Sequence, residues 1–203
     1  MHDKHSARPA EELFLKTISQ LKGNSIALDL GANVGKISII LAKKAGKVYA
    51  FEPDPWAFQQ LKNNISRYKN AHPIQAAAGT TDELITMYRK TNYENNPAVA
   101  SQATSIYKNK SNVDPHNKIE VQQIDVIRFM LDLDRDIDII KMDIEGAEVP
   151  ILESLLNSSI AERIHYIFVE THEFKVPGLL ERTDALRKKI SKMKRPMIYL
   201  NWH

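Results

Sequence analysis

Ile26-Ala-Leu-Asp-Leu-Gly-Ala-Asn-Val-Gly-Lys36 is the stretch whose reading decides the fold. Ile26 to Leu30 is an apolar run broken by one acid, Asp29, and reads as a buried parallel strand. Gly31 and Gly35 bracket a tight turn, and Lys36-Ile-Ser-Ile-Ile-Leu-Ala-Lys-Lys44 reads as a helix. Strand, glycine turn and helix together bring bare backbone N–H groups and a helix N-terminus up to a ligand.

Three ligand classes compete for that turn. A phosphate-binding P-loop needs four residues between its first glycine and a Gly-Lys pair, then Ser or Thr. Here only Ala32, Asn33 and Val34 separate Gly31 from Gly35, and Ile37 follows Lys36, so no hydroxyl is placed for Mg²⁺. A dinucleotide fingerprint needs Gly-x-Gly-x-x-Gly. Asn33 and Lys36 stand where its second and third glycines would be, so side chains would meet the pyrophosphate. The pattern Asp-x-Gly-x-Asn-x-Gly instead resembles the first motif of S-adenosylmethionine-dependent methyltransferases, whose ligand has no pyrophosphate. Asp29 would then lie near the ligand's ammonium, and Gly31 would let the backbone approach it.

A second anchor follows one unit later. Lys47 to Phe51 reads as the next strand and runs into Glu52-Pro-Asp-Pro55. An acid at the end of the second strand, about twenty residues after the glycine turn, is where ribose hydroxyls are gripped. Glu52 has that place. Asp54 before Pro55 reads as an N-cap followed by the first helical residue.

The rest of the chain alternates in the same way. Residues 9–22 read as a packing or lid helix that starts at Pro9 and ends at Gly23. Pro55 to Lys69 reads as a helix closed by Asn70. His72 to Ala78 reads as a third strand, whose small end residues, Ala77 among them, suit either a flat adenine ring or close helix packing. Leu84–Tyr88 and Lys118–Gln122 read as added strands, and Asp125 as the cap of a helix over Val126–Asp132. Ile137–Met142 and Ile164–Val169 read as the fourth and fifth core strands. A helix carrying Val149, Leu152, Leu155 and Leu156 stands between them, an amphipathic helix follows over 179–193, and Met197–Trp202 reads as a last strand. The polar stretch from Thr91 to Lys118 is too long for an idle connection and reads as a lid or insertion, its substrate-facing part near Ser101 to Lys108. The expected architecture is one α/β domain over residues 1–203, a Rossmann-like doubly wound, mostly parallel sheet covered on both faces.

Composition narrows the function classes. With 203 residues, 43% hydrophobic, the chain has enough apolar mass for a sizeable core. The absence of cysteine removes disulfides, thiolate metal sites and cysteine nucleophiles. No apolar stretch approaches the length of a membrane span. Met1 to Pro9 lacks the apolar core of a signal peptide, so the expected compartment is the cytoplasm. The net charge of +3 is mild. Its densest basic cluster, Arg187 to Arg195, alternates with Leu186, Ile190 and Met193 at helical spacing and reads as a wet helix face. No aromatics interleave with it to stack bases, which argues against a nucleic-acid surface.

In open α/β sheets the ligand lies beyond the carboxyl ends of the strands. Four core strands end in acids there: Asp29, Glu52, Asp143 and Glu170. Methyl transfer to an alcohol needs an aligned nucleophile and a proton acceptor; proximity and a general base each contribute to the rate. Asp143, Glu145 and His172 are the base candidates, with His172 closest to neutrality in its ordinary pKa. Glu148 faces the first turn of a helix and suits its dipole. Asp143 with Glu170 would also suit a divalent cation such as Mg²⁺, with His172 a poorer ligand for that hard ion, and such an ion would lower the alcohol's pKa.

Leu28-Asp-Leu-Gly-Ala-Asn-Val-Gly35, Phe51-Glu-Pro-Asp-Pro55, Ile140-Lys-Met-Asp-Ile-Glu-Gly-Ala-Glu148 and Val169-Glu-Thr-His172 together resemble the FkbM family of S-adenosylmethionine-dependent methyltransferases. The resemblance implies O-methylation of a hydroxyl on a sugar, glycan or secondary metabolite. It implies cofactor contacts at Gly31, Asn33, Gly35 and Glu52, with Asp143 beside the transferred methyl group. With the readings above, the expected cofactor set is Asp29, Gly31, Ala32, Asn33, Gly35, Glu52, Pro53, Ala77 and Asp143. Two departures stand out: only one strand follows the last helix, and the loop from residue 91 carries no family signature. The Asn/Asp-Pro-Pro-aromatic segment of many N-methyltransferases is absent at Asp143, which lowers the standing of a nucleic-acid substrate. A non-catalytic cofactor-binding module and, more distantly, a nicotinamide-dependent oxidoreductase are the remaining alternatives.

Overall fold

The computed structural model describes residues 4–202, with side chains from Pro9 onward. Residues 1–3, which open the stretch read above for a signal peptide, and His203 lie outside the described residues. The strands are β1 (Ile26–Leu30), β2 (Lys47–Phe51), β3 (Ala71–Ile74), β4 (Ala77–Gly79), β5 (Glu83–Tyr88), β6 (Lys118–Asp125), β7 (Ile137–Met142), β8 (Ile164–Val169) and β9 (Met197–Tyr199). The helices are α1 (Lys4–Ser19), α2 (Lys36–Ala42), α3 (Pro55–Ile65), α4 (Pro97–Ala100), α5 (Val126–Asp132), α6 (Glu148–Leu155) and α7 (Leu179–Ile190).

Six strands form one sheet in the order β3-β2-β1-β7-β8-β9, every pair parallel. Alternation along each strand divides the core in two. Leu28, Leu30, Ile140, Met142, Ile167 and Val169 face α5, α6 and α7. Ala27, Val48, Ile139 and Phe168 face α1 and α2, where Phe14 stands edge-on to Phe168 at 5.0 Å. Leu61 and Ile65 of α3 close over Ala50. Helices therefore cover both faces. The chain winds outward from β1 through β2 to β3 and then returns to β7 beside β1, so the strand order reverses between β1 and β7. A crevice opens at such a switch point, at the carboxyl ends of the strands.

Four local readings need correction. The helix expected from Pro9 begins at Lys4, holds Pro9 inside it, and ends at Ser19 rather than Gly23, where Gln20 and Leu21 make shorter i→i−3 bonds. The third strand does not run from His72 to Ala78. Pro73 lies in β3, which is the edge of the large sheet and tolerates the missing N–H. The chain then turns after Ile74, and Ala77 to Gly79 join a second, three-stranded sheet ordered β4-β6-β5, with β5 antiparallel to β6. Helix α3 stops at Ile65, four residues short, and Asn70 spends its amide on the Ala42 and Ala45 carbonyls at the end of α2. The last strand covers only Met197–Tyr199; Trp202 turns inward, is buried, and packs 5.2 Å from Phe14. No helix among the described residues is long and apolar enough to cross a membrane.

Candidate active site

The strand ladder continues past the strand ends and so aligns the groups there. Gly31 and Ala32 donate to the Phe51 carbonyl at 3.1 and 2.8 Å, and Glu52 N–H to Ile74 O at 3.0 Å. Asp143 N–H reaches Leu30 O at 3.0 Å and Glu170 N–H reaches Met142 O at 2.9 Å. Glu52, Gly31, Asp143 and Glu170 thus stand in a row along one edge of the sheet. A cavity of about 420 Å³ opens above them. Its lining includes Gly31, Ala32, Asn33, Glu52, Pro53, Ala77, Asp143, Glu145 and Glu170. Gly31 is demanded twice over: its φ is +78°, and a Cβ would lie 1.8 Å from the Asp143 carbonyl oxygen.

Two residues expected at the cofactor stand elsewhere. Asp29 is fully buried and does not line the cavity. Side-chain alternation turns it toward α2, where Ser38 Oγ donates to its carboxylate at 2.6 Å. The β1–β7 register sets Lys141 directly opposite Asp29, with its Nζ 3.4 Å from the carboxylate. Lys141 thus shields Asp29 from the crevice, donates to the Gly31 carbonyl at 2.7 Å, and lies 3.8 Å from Asp143. Burial pulls this ammonium's pKa down, but Asp29 and Asp143 outweigh it and hold it above the ordinary value. Gly35 also stands off the cavity; its φ is +88° and a Cβ would meet Leu61 Cδ1 at 2.7 Å, so it serves the packing of α2 on α3.

On the β2 side, Glu52 accepts from Asn33 N–H and from Asp54 N–H, both at 2.8 Å. Burial pushes its pKa up to about 8 against the pull of those two donors. Asp54 caps α3 through Trp56 and Ala57 N–H, at 3.0 and 3.1 Å, as the Asp-Pro pair predicts.

On the β7 side the turn Asp143-Ile-Glu-Gly146 is held open by an unusual backbone: φ is +58° at Glu145 and +118° at Gly146. The fully buried Glu148 satisfies that turn. Its two carboxylate oxygens accept from Ile144 and Gly146 N–H, each at 2.9 Å, and His172 Nδ1 stands 3.0 Å from Oε1. Its acid works in the turn more than on the helix dipole. His172 does not line the cavity; it is buried behind Glu145, whose Oε2 stands 3.2 Å from Nε2. Burial lowers the imidazole pKa, but the Glu148 contact and the neighbouring Glu145 and Asp143 raise it above its ordinary value on balance. Desolvation and the nearby Asp143 raise Glu170. Asp143, Glu170 and His172 each offer one ligand atom, all within 4.8 Å of one another.

The long polar segment folds over the crevice in short helical turns, Tyr93–Asn95, α4 and Ser101–Ala103. It puts Ser101, Gln102, Thr104 and Ile106 into the cavity wall. Asn33 Nδ2 donates to Ser101 Oγ at 3.1 Å, and Ser105 Oγ to the Glu145 carbonyl at 2.6 Å. The buried Lys110 ammonium pairs with the Glu145 carboxylate and donates to Ala103 O at 3.0 Å. Desolvation depresses the Lys110 pKa more than Glu145 restores it. The loop around Ser101 lines the cavity where the sequence reading set its substrate-facing part, whereas Lys110 and Trp202 were not legible as site residues, because sequence gives no spacing that carries a loop lysine or a C-terminal tryptophan to this edge. Lys141 left one signal, a lone cation inside an apolar strand.

The reversed strand order, the glycine turn after β1 and the acid after β2 define a Rossmann-like α/β protein with a nucleoside-sized crevice at its switch point. The same fold occurs in an rRNA methylase from Streptococcus thermophilus, which aligns over 96% of this chain and 82% of its own at a TM-score of 0.51 and 12% identity. The model of the methyltransferase FkbM domain matches residues 29–195, and the chain belongs to that family. Methyltransferase sdnD of Sordaria araneosa is 27% identical over 83% of this chain and 74% of its own length. The hexuronic acid methyltransferase AglP of Haloferax volcanii is 22% identical over 81% of this chain and 63% of its own. The chain spans only 10 to 23% of the length of three other curated relatives that it matches.

Proposed function

We propose that this protein transfers a methyl group from S-adenosylmethionine to a hydroxyl of a sugar, glycan or secondary metabolite. The observation that carries the reading is the pairing, across one cavity, of a ribose-type acid at Glu52 with a carboxylate edge at Asp143 and Glu145. The donor set fits the nucleoside. The Glu52 carboxyl oxygens would accept hydrogen bonds from ribose hydroxyls, Gly31 leaves the floor bare, and Thr104 Oγ1 and Trp202 Nε1, buried in residues that line the same cavity, have no hydrogen-bond partner among the described residues. When bound, the cofactor supplies an activated methyl on a sulfonium, which needs no further electrophilic help.

The chain's own residues do the rest. The 101–106 segment roofs the cavity and limits water. Glu52, held in place by the Asn33 N–H, would hold the nucleoside end, and Asp143 would stand on the side of the transferred methyl. An acceptor hydroxyl that takes the methyl, with S-adenosylhomocysteine leaving, must also lose its proton, and Asp143 and Glu145, which line the cavity, would receive it. A base in this position contributes about 10²–10⁴-fold. His172, buried behind Glu145, does not line the cavity and so would not touch the acceptor itself. Likeness to a hexuronic acid methyltransferase supports an oxygen acceptor on a sugar.

Calorimetry with S-adenosylhomocysteine, wild type beside Glu52→Ala, tests the cofactor half; binding in the wild type that weakens at least tenfold in the variant is expected. Labelled cofactor offered to hexuronic acids, glycans and RNA tests the acceptor half. Label on RNA with none on any hydroxyl acceptor would overturn it.

A further inference from the structure

Four carboxylates surround one imidazole at the β7–β8 edge, and their geometry is not that of a closed ion-pair network. Glu148 takes two backbone N–H donors and stands 3.0 Å from His172 Nδ1, so its oxygens are acceptors and Nδ1 is the nitrogen that carries a proton. In the neutral imidazole the lone pair then lies on Nε2. The His172 side chain is 1% exposed and Nε2 makes no hydrogen bond. It is aimed at Glu145 Oε2 at 3.2 Å and at Asp143 Oδ1 and Glu170 Oε1, both at 3.8 Å. A lone pair directed into carboxylates is repelled by them unless a proton or a metal ion sits between.

The lysines of the site do not supply that charge. Lys110 is taken by Glu145, and Lys141 sits nearer Asp29 than Asp143. Glu170 has no Lys or Arg within ion-pair distance among the described residues. Among the described residues, Asp143 Oδ1 (its other oxygen faces Lys141 at 3.8 Å), Glu170 Oε1 and His172 Nε2 are therefore the atoms without a lysine or arginine partner of their own. For metal–ligand bonds of about 2.1 Å, neighbouring ligand atoms lie about 3 Å apart and opposite ones about 4.2 Å. The two histidine–carboxylate separations, 3.8 Å each, fall in that span, and all three ligand atoms lie within 4.8 Å of one another. Both carboxylates are partly exposed to the cavity, which leaves open positions for water or an acceptor oxygen.

We infer that Asp143, Glu170 and His172 bind a divalent transition-metal ion, with Glu148 holding the imidazole in the ligating tautomer. A carboxylate on the far nitrogen of a ligating histidine is the usual device for that purpose. One imidazole and two carboxylates select against Mg²⁺, which prefers all-oxygen shells, and in favour of Mn²⁺-class ions. Binding stands on these side chains alone; the use of the ion rests on the proposed hydroxyl methylation, where it would lower the pKa of an acceptor alcohol held in an open position.

The test titrates the full chain with Mn²⁺, without nucleoside or acceptor, and follows the free ion by electron paramagnetic resonance. One bound Mn²⁺ per chain is expected, with Mg²⁺ competing at least tenfold less well. Pulsed measurements should show the nitrogen coupling of one directly bound imidazole. Glu170→Gln should weaken binding at least tenfold, and His172→Gln should abolish the nitrogen coupling. The partly exposed Glu170 is the safer variant to fold, and thermal melts check both. Absence of Mn²⁺ binding by folded wild type, or binding unchanged in Glu170→Gln, overturns the inference. S-adenosylhomocysteine calorimetry on the same samples keeps that failure distinct from a failure of the cofactor reading.

Discussion

Glu52 is a residue whose burial overrides the pull of its nearest partners. Around it stand the Asn33 and Asp54 N–H donors, the Asp54 carboxylate and, from β7, Lys141. Burial still dominates and raises its pKa from 4.5 to about 8. Below pH 4.5 the folded and unfolded chains both hold the proton, and the buried acid is uncharged. Between 4.5 and about 8 the unfolded chain releases the proton while the folded chain keeps it, so stability falls as pH rises and levels off above 8. The slope from this group is at most about 1.4 kcal/mol per pH unit. Thermal melts of wild type beside Glu52→Gln should therefore diverge from pH 5 to 8, the variant gaining on the wild type. Parallel profiles would mean that the carboxyl titrates as an ordinary acid. Asp29 teaches the opposite lesson. Its type and place at the strand end pointed to a ligand, yet alternation turned it to Ser38 and the register gave it Lys141. Only pairing between strands 112 residues apart in sequence decides such a partner (Asp29 opposite Lys141).

The element with most at stake is the polar segment from Thr91 to Lys118. A composition of Asn, Ser and Lys announces no packed structure. The segment is nevertheless tied down at successive points, first on the α3 cap Asp54 and then on residues of the site. Arg89 and Tyr93 both reach Asp54, the Tyr93 hydroxyl donating at 2.6 Å and the guanidinium lying over the Tyr93 ring at 4.0 Å. Ser101 holds Asn33, while Ser105 and Lys110 hold Glu145. Tyr93→Phe removes one hydrogen bond to a buried carboxylate, a loss of about 1.5–3 kcal/mol. Hydrogen exchange should then speed up over residues 93–111, with β1 and β7 protected as before. Unchanged exchange in the segment would show that Asp54 does not anchor it. The boundaries of the regular elements were easier to read, because β1, β2, β7 and β8 announce themselves as apolar runs and Asp54 and Asp125 as caps. The third strand was misread because the unbroken run from His72 to Ala78 cannot reveal that Pro73 sits on an edge, after which the chain changes sheets.

At the scale of the whole molecule, charge is distributed so that the basic C-terminal helix is largely spent within the fold. Arg182 pairs with Glu153 at 2.5 Å, Arg187 with Asp184 at 2.9 Å and with Glu173, and Lys189 donates to Asn157 at 2.9 Å. Single-stranded RNA should accordingly bind only in the non-specific range, with Kd of about 10⁻⁴–10⁻⁶ M at physiological salt. Fluorescence anisotropy checks this, and nanomolar binding at that salt would assign α7 to a nucleic-acid partner. The sequence by itself determined the parallel α/β architecture, the glycine turn, the acid after β2 and the acids after β7 and β8, because hydrophobic period, turn chemistry and caps are local properties. Only the tertiary structure decided that Asp29 and Gly35 leave the cavity, that His172 lies behind Glu145 with a lone pair to offer, and that Lys110, Lys141 and Trp202 join the site. Those outcomes depend on strand register, on which face a side chain takes and on where a long loop lands, and each is set by contacts between segments far apart in the chain.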